Sequence, residues 1–200
     1  MPKVDIKENF IRELKKFTTT NGNSNIISEF TSNKIKIEET ESDGIGEIFL
    51  DISTYTDDTF FIKIDNKSEH NIGIKRNHND GIVLKVNLDT QNISVFLFEL
   101  KKQLRWSNLE KASTQLACSY RFIKYLQLEE CFSVDYTFFV VYESNNITLD
   151  SDVLKTRNQF QLTLFSAIYE NENKIPIQIP LCKYKKFPFK QVVFGETILI

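Results

Sequence analysis

The chain has 200 residues, of which 41% are hydrophobic and 26% charged, and its formal net charge is −2. This length supports one well-buried core, and the composition excludes a disordered or fibrous chain. The slightly acidic balance excludes a protein held on nucleic acid by bulk positive charge, so any nucleic-acid surface has to be local.

The cysteines and histidines are too few and too far apart to form a metal or disulfide framework. There are three cysteines, none of them in a CxxC pair, and His70 and His78 are the two histidines. Zinc sites and disulfide scaffolds need more closely spaced or paired ligands. We therefore expect reduced thiols and no zinc centre.

The N-terminal residues MPKVDIKENF carry charge from the third position onward, which is not the pattern of a signal peptide. The longest uncharged apolar stretch, residues 160–169, is about half as long as a membrane-spanning helix. We expect a cytoplasmic protein with no membrane partner.

The chain shows no repeat or linker, and we predict one α/β domain over residues 1–200. Its N-terminal part, 1–75, begins with a helix over 5–17, where apolar residues recur at helical spacing. β-Rich runs follow and predict strands: KIKIEE, EIFLDI, TFFIKI and NIGIKR. The core covers 80–143, and 144–200 holds C-terminal strands and a tail rich in basic and aromatic residues.

Two apolar, β-branched runs, DGIVLKVNL and ISVFLFELK, flank the turn-like NLDTQN and predict a β-hairpin. If the chain turns symmetrically about residues 89–90, Ile82 faces Leu97 and Asp80 faces Glu99. This register produces an apolar stripe that ends in two carboxylates, and a slip of one residue would destroy it.

The next segment, SNLEKASTQLACSYRFIKYLQLEE (107–130), has the apolar spacing of a helix. Ser107 and Glu110 match a capping box, so we place the N-terminus of the helix at Ser107. VDYTFFVVYE (134–143) predicts a further buried strand.

The tripeptide Glu99-Leu100-Lys101 has the form ExK, a pattern that recurs at 5–7, 13–15, 65–67 and 172–174. The copy at 99 is distinguished by its place at the end of an apolar strand. There, burying a carboxylate and an ammonium is costly unless they pair or bind a metal. Residues two apart in a strand share a face, so Glu99 and Lys101 project together.

Two carboxylates beside a lysine suit metal-assisted hydrolysis of a phosphodiester. Oxygen ligands such as Asp80 and Glu99 select Mg²⁺ or Mn²⁺. Lys101 can orient or help to deprotonate the attacking water and stabilise the transition state.

The order strand–Asp, strand–ExK, helix, strand in DGIVLKVNLDTQNISVFLFELKKQL and the residues after it resembles the core of the PD-(D/E)xK nuclease superfamily. This superfamily includes restriction endonucleases, Holliday-junction resolvases and RecB-like nucleases. Gln115 and Tyr120 are similar to the Gln–Tyr motif of RecB-like members, with one extra residue between them, and no proline precedes Asp80.

The resemblance implies a restriction-endonuclease-like core, with a central mixed β-sheet flanked by helices. It implies that Asp80 and Glu99 ligate the metal, that Lys101 assists the water, and that Gln115 steadies the substrate or the active site. The implied activity is that of a Mg²⁺-dependent (or Mn²⁺-dependent) endonuclease in restriction, defence or repair, acting on DNA rather than RNA. A homodimer is an option for a nuclease that cuts both strands.

Basic residues near this core and in the tail are candidates for phosphate contacts, interleaved in the tail with aromatic residues. They are Lys102, Arg105, Lys183, Lys185 and Lys186. The alternative function is a non-catalytic, nuclease-like binding or interaction protein, such as an inactive subunit of a defence system.

Further alternatives concern the site itself. An acidic residue from the N-terminal part, Glu8, Glu13 or Glu47, is a candidate to complete it. A second candidate site joins Glu47 with Asp65 and Lys67. A small-molecule enzyme is disfavoured, because the six glycines form no phosphate-binding loop.

Overall fold

The computed structural model of the protein describes residues 12, 27–30, 34–39, 46–52, 58–62, 80–147, 162–163, 174–177 and 185–199. Residues 12 and 162–163 are helical, and the other described residues form ten strands, one α-helix and a 3-10 turn together with their connections. In chain order they are β1 (Ile27–Phe30), β2 (Lys34–Glu39), β3 (Gly46–Asp51), β4 (Asp58–Ile62), β5 (Gly81–Asn87), β6 (Asn92–Leu104), α1 (Trp106–Tyr125), the 3-10 turn (Leu128–Glu130), β7 (Ser133–Asn145), β8 (Lys174–Ile177), β9 (Lys185–Val193) and β10 (Thr197–Leu199).

Seven strands form the large sheet, in the order β1-β4-β5-β6-β7-β9-β8. The pairs from β1 to β6 are antiparallel, β6, β7 and β9 run parallel, and β8 returns antiparallel beside β9. The parallel pair β6–β7 requires a crossover, which α1 provides. The prediction of an α/β fold with a mixed sheet is therefore confirmed.

One face of the large sheet is covered by α1. Alternate strand residues point to this face, and the helix contributes a stripe at three- and four-residue spacing. The buried core between them includes Leu84, Val95, Leu97, Phe138, Val140, Leu109, Ala112, Leu116, Tyr120 and Ile123. The predicted helical stripe over 107–130 is thus the surface that packs on the sheet.

The opposite face is covered by a second sheet of three strands, in the order β10-β3-β2. Its inward residues pack against Phe98, Leu100, Phe139 and Val141 of the large sheet, and the rings of Phe98 and Phe139 stack 4.6 Å apart. The inward residues are Ile35, Ile37, Ile48 and Leu50. Among the described residues this face is covered by strands, because KIKIEE and EIFLDI bury alternate residues at the period of a strand.

The hairpin of β5 and β6 has the predicted register, with Ile82 opposite Leu97 and Asn87 opposite Asn92. The loop has four residues, 88–91, centred on the predicted turn at 89–90. The Asn87 side chain accepts a hydrogen bond from the Thr90 amide at 2.9 Å, and Gln91 takes a positive φ of 53°. The loop is symmetric about the predicted turn, so the register does not shift.

The predicted start of the helix is wrong. Arg105 is the N-cap residue of α1 and makes no side-chain capping bond, so Ser107 and Glu110 lie inside the helix instead of forming a capping box. The cap lies two residues earlier than predicted, and the first helical residue, Trp106, is buried at 6% exposure. The helix ends at Tyr125 rather than 130, because Gln127 takes the left-handed conformation, with φ of 54°.

KIKIEE coincides with β2, EIFLDI and TFFIKI overlap β3 and β4, and VDYTFFVVYE lies within β7, so these predicted strands are confirmed. The predicted helix over 5–17, apart from Arg12, and the strand NIGIKR lie outside the described residues. Within the described ranges, no helix has the length and apolar character needed to cross a membrane.

Candidate active site

Glu99 and Lys101 lie near the end of β6, on the face of the large sheet that α1 covers. Their neighbours in the strand show this, since Val95 and Leu97 belong to the core under α1 and Leu100 to the core on the other face. The Lys101 ammonium donates a hydrogen bond to Oε1 of Glu99 and forms a salt bridge with it. The sequence prediction that the two side chains project together is confirmed.

The sequence predicts Asp80 opposite Glu99. In the structure Asp80 lies one residue before β5, just beyond the end of the ladder. The last pair of the β5–β6 ladder is Gly81 with Phe98. The Asp80 amide donates to the Phe98 carbonyl at 2.9 Å, and its carboxylate Oδ2 accepts from the Leu100 amide at 2.5 Å. The side chain thus takes the place of the next strand carbonyl, because Leu100 would otherwise lack an acceptor on this side.

This bond brings the Asp80 carboxylate to the backbone between Glu99 and Lys101. Asp80 is 8% exposed, Glu99 is 0% exposed and Lys101 is 6% exposed. Because α1 begins just after β6 ends and leads into the parallel strand β7, it runs back along the sheet over the part of β6 that carries them. The site therefore consists of a buried Glu99–Lys101 ion pair and a buried carboxylate, Asp80, that binds the amide between them.

Gln115, the fourth predicted catalytic residue, lies on α1 and is 6% exposed. Leu116 and Tyr120 belong to the stripe that packs on the sheet. Successive helical residues are about 100° apart, so Gln115 occupies the flank beside this stripe. The structure therefore places Gln115 in the buried part of α1, beside the residues that pack on the sheet.

The predicted nucleic-acid contacts do not converge. Lys102 and Arg105 are exposed where β6 leads into α1, and Arg105 donates a hydrogen bond to the Gln103 side chain. Lys185 and Lys186 begin β9, whereas Glu99 is level with Gln191 through the pairing of β6, β7 and β9. Five strand residues span about 17 Å, so these lysines lie toward the opposite end of the sheet. Lys183 lies outside the described residues.

The alternative acidic residue Glu47 lies on β3 and is exposed. It forms a salt bridge of 2.7 Å with Lys36, and hydrogen bonds from Lys36 to Glu47 and Glu38 raise the pKa of the lysine. The small sheet that carries Glu47 packs on the face of the large sheet away from α1, so Glu47 does not complete the cluster. The alternatives Glu8, Glu13, Asp65 and Lys67 lie outside the described residues.

The donor set of the cluster fits a small hard cation. Among the residues that the structure describes, no group of three or more His, Cys, Asp or Glu side chains could hold a metal. Mg²⁺ nevertheless binds through one or two carboxylates together with waters and substrate phosphates. Asp80 and Glu99 supply two such carboxylates near the same point of β6.

One buried charge was not anticipated. Lys85, in the middle of β5, is 5% exposed and pairs across the sheet with Thr59 and Ser94. It lies on the face away from α1, since its strand neighbours Leu84 and Val86 belong to the core under the helix. A single lysine inside the apolar run GIVLKVN is the sequence signal that could have identified it.

Comparison with known proteins adds no relative. No protein-family model, curated protein or solved structure matches the chain. The interpretation of the site therefore depends on its residues and geometry.

Proposed function

We propose that the protein is a Mg²⁺- or Mn²⁺-dependent nuclease of the PD-(D/E)xK type, which hydrolyses phosphodiester bonds of DNA rather than RNA in restriction, defence or repair. The observation that carries the proposal is the buried cluster on β6. Glu99 and Lys101 share one face of an otherwise apolar strand, and the Asp80 carboxylate binds the amide between them.

Stability does not account for this cluster. Burying an ion pair costs several kcal/mol per ion in desolvation, and apolar residues of similar size are often as stabilising or more so. Charged groups that persist in such a place mark candidate functional sites. Glu99, with no exposed surface, is the most costly of the three to bury.

The surrounding topology supports a restriction-endonuclease-like core. An Asp at the start of a hairpin, the ExK strand, the crossover helix α1 and the parallel strand β7 follow one another in the order that the resemblance implies. The three-stranded sheet on the opposite face is an addition to that core.

Each of the three residues has a distinct role in the proposed reaction. Asp80 and Glu99 would hold the cation, and the bond from the Leu100 amide fixes the Asp80 carboxylate. When bound, the cation lowers the pKa of a coordinated water and neutralises charge on the scissile phosphate. Lys101 neutralises Glu99 in the buried ion pair and orients the attacking water when substrate is present. Since no side chain of the three is more than 8% exposed, substrate entry requires α1 or a neighbouring segment to move.

The second candidate function is a non-catalytic nuclease-like interaction protein. The direct salt bridge between Lys101 and Glu99 favours it, because this pair compensates its own charge without a metal. Two such domains in a homodimer would fit either function.

The test is cleavage of plasmid DNA, single-stranded DNA and RNA with Mg²⁺, with Mn²⁺ and with EDTA. We expect metal-dependent cleavage by the wild type, and its loss in Lys101→Gln, which keeps a hydrogen-bond donor beside Glu99. Lys124→Gln is the matched control, because Lys124 forms an exposed salt bridge with Glu129 at the far end of α1. Absence of cleavage of all three substrates by folded wild-type protein would contradict the nuclease and favour the interaction protein.

A further inference from the structure

The solvent side of α1 carries a continuous polar stripe. Its members recur at intervals of three and four residues, so they lie in one line along the helix. We call this line the outer stripe; it consists of Ser107, Lys111, Thr114, Cys118, Arg121 and Tyr125. Thr114 and Cys118 are half-buried, and the other four are exposed.

The outer stripe is positively charged although the protein is not. Among the described residues no carboxylate pairs with Lys111 or Arg121, whereas the nearby Lys124 is neutralised by Glu129. The first turn of the helix contains no acidic residue. Lys111 and Arg121 are about 15 Å apart along the helix axis, from a rise of 1.5 Å per residue.

Tyr125 ends the outer stripe and is 58% exposed. It follows Arg121 by one helical turn, or about 6 Å along the axis, so the two residues are neighbours on the same side of the helix. Apart from Tyr125 the exposed members of the stripe are polar, so it lacks the wide apolar face with which an amphipathic helix enters a bilayer.

We propose that the outer stripe binds a single-stranded stretch of nucleic acid, with Lys111 and Arg121 on phosphates and Tyr125 stacked on an unpaired base. Cations that track the backbone and an aromatic ring that stacks on bases are the two components of such surfaces. A paired duplex offers no base face to Tyr125. The inference rests on the proposed function in taking nucleic acid as the substrate, and it places the bound strand on the helix that covers the carboxylate cluster.

The experiment measures fluorescence anisotropy of labelled oligothymidine over a range of salt concentrations, with EDTA present so that no cleavage occurs. Two phosphate contacts give a slope of log affinity against log salt of about −1.4. Lys111→Gln and Arg121→Gln should each reduce this slope by about 0.7. Tyr125→Leu should weaken binding about fivefold or more without changing the slope, and Tyr125→Trp should retain it.

Lys34→Gln is the matched control, because Lys34 is exposed on β2 of the small sheet, on the other side of the molecule. An equal loss of affinity in Lys34→Gln and Lys111→Gln would overturn the proposal. Binding to phosphatidylserine vesicles through the same residues, with no binding to oligothymidine, would overturn it as well. Oligothymidine binding that depends on the outer stripe supports the proposed binding surface even if no cleavage occurs with Mg²⁺. The lack of cleavage would contradict only the nuclease function. Conversely, if the stripe variants cleave single strands as well as the wild type does, the proposed binding by the outer stripe is wrong and the nuclease function stands.

Discussion

The buried pair of Glu99 and Lys101 yields a prediction about stability that separates function from folding. Lys101→Met leaves the Glu99 carboxylate, which has no exposed surface, without its counter-ion. Breaking a buried pair in this way costs about 3–5 kcal/mol, a large part of the roughly 5–15 kcal/mol that stabilises a typical domain. Replacing both residues, as in Glu99→Leu with Lys101→Met, removes the isolated charge. The double variant should equal the wild type or exceed it by about 1–4 kcal/mol.

Urea unfolding followed by tryptophan fluorescence measures these differences, because Trp106 is the single tryptophan and is buried at the start of α1. The exposed pair at the other end of the helix serves as a control, since Lys124→Met removes a surface salt bridge and should cost no more than about 1 kcal/mol. If Lys101→Met costs as little as this control, Glu99 is not a buried charge and the reasoning fails. A double variant that is as unstable as the single one would show that the pair is retained for stability.

Three further predictions concern the surroundings of the site. Asp80→Ala should destabilise the protein by about 1–3 kcal/mol in urea unfolding, because the Leu100 amide loses its acceptor, whereas Asp80→Asn keeps an acceptor and should retain most of the stability. Arg105→Ser should stabilise the protein by about 0.5–1 kcal/mol, because Arg105 is an N-cap residue in extended conformation without a side-chain cap, and Ser107→Ala should change little. Burial and the neighbouring Glu129 raise the pKa of Tyr136 in the folded protein. The neutral phenol therefore stabilises the fold fully below about pH 10, and this contribution is lost as the pH rises further. In thermal unfolding, the wild type should lose stability relative to Tyr136→Phe above that pH.

Each of these has an outcome that contradicts it. Equal losses in Asp80→Asn and Asp80→Ala would mean that the carboxylate charge, rather than the hydrogen bond to Leu100, supports the fold. If Ser107→Ala lowers the free energy of unfolding by about 1 kcal/mol, Ser107 acts as the helix cap after all. Parallel pH profiles of the wild type and Tyr136→Phe would show that the phenol titrates alike in the folded and unfolded chains.

The hairpin was predictable in its register because the information is local. The loop is symmetric about the predicted turn at 89–90, so the two strands pair in the predicted register. The shared face of Glu99 and Lys101 follows from the alternation of side chains along a strand. The position of Asp80 does not, since it depends on where the ladder stops, and its side chain bonds the backbone beyond the last pair.

The three-stranded sheet could not be predicted because its pairing is long-range. β10, near the C-terminus, lies parallel to β3, so Thr197 pairs with Phe49. No local pattern specifies that contact, and strand runs alone do not say which sheet they join. At the helix start, the local capping signal at Ser107 was overridden by tertiary burial of Trp106.

The central claim is that Asp80 and Glu99 hold a divalent cation, and its most direct measurement is a Mn²⁺ titration of the protein followed by electron paramagnetic resonance of the free ion. The wild type should bind one Mn²⁺ that Mg²⁺ displaces, and Asp80→Asn and Glu99→Gln should each lose most of the affinity. Asp135→Asn, which changes an exposed carboxylate at the start of β7, should bind as the wild type does. A wild type that binds no Mn²⁺, or binding that Asp80→Asn and Glu99→Gln leave unchanged, would contradict the account.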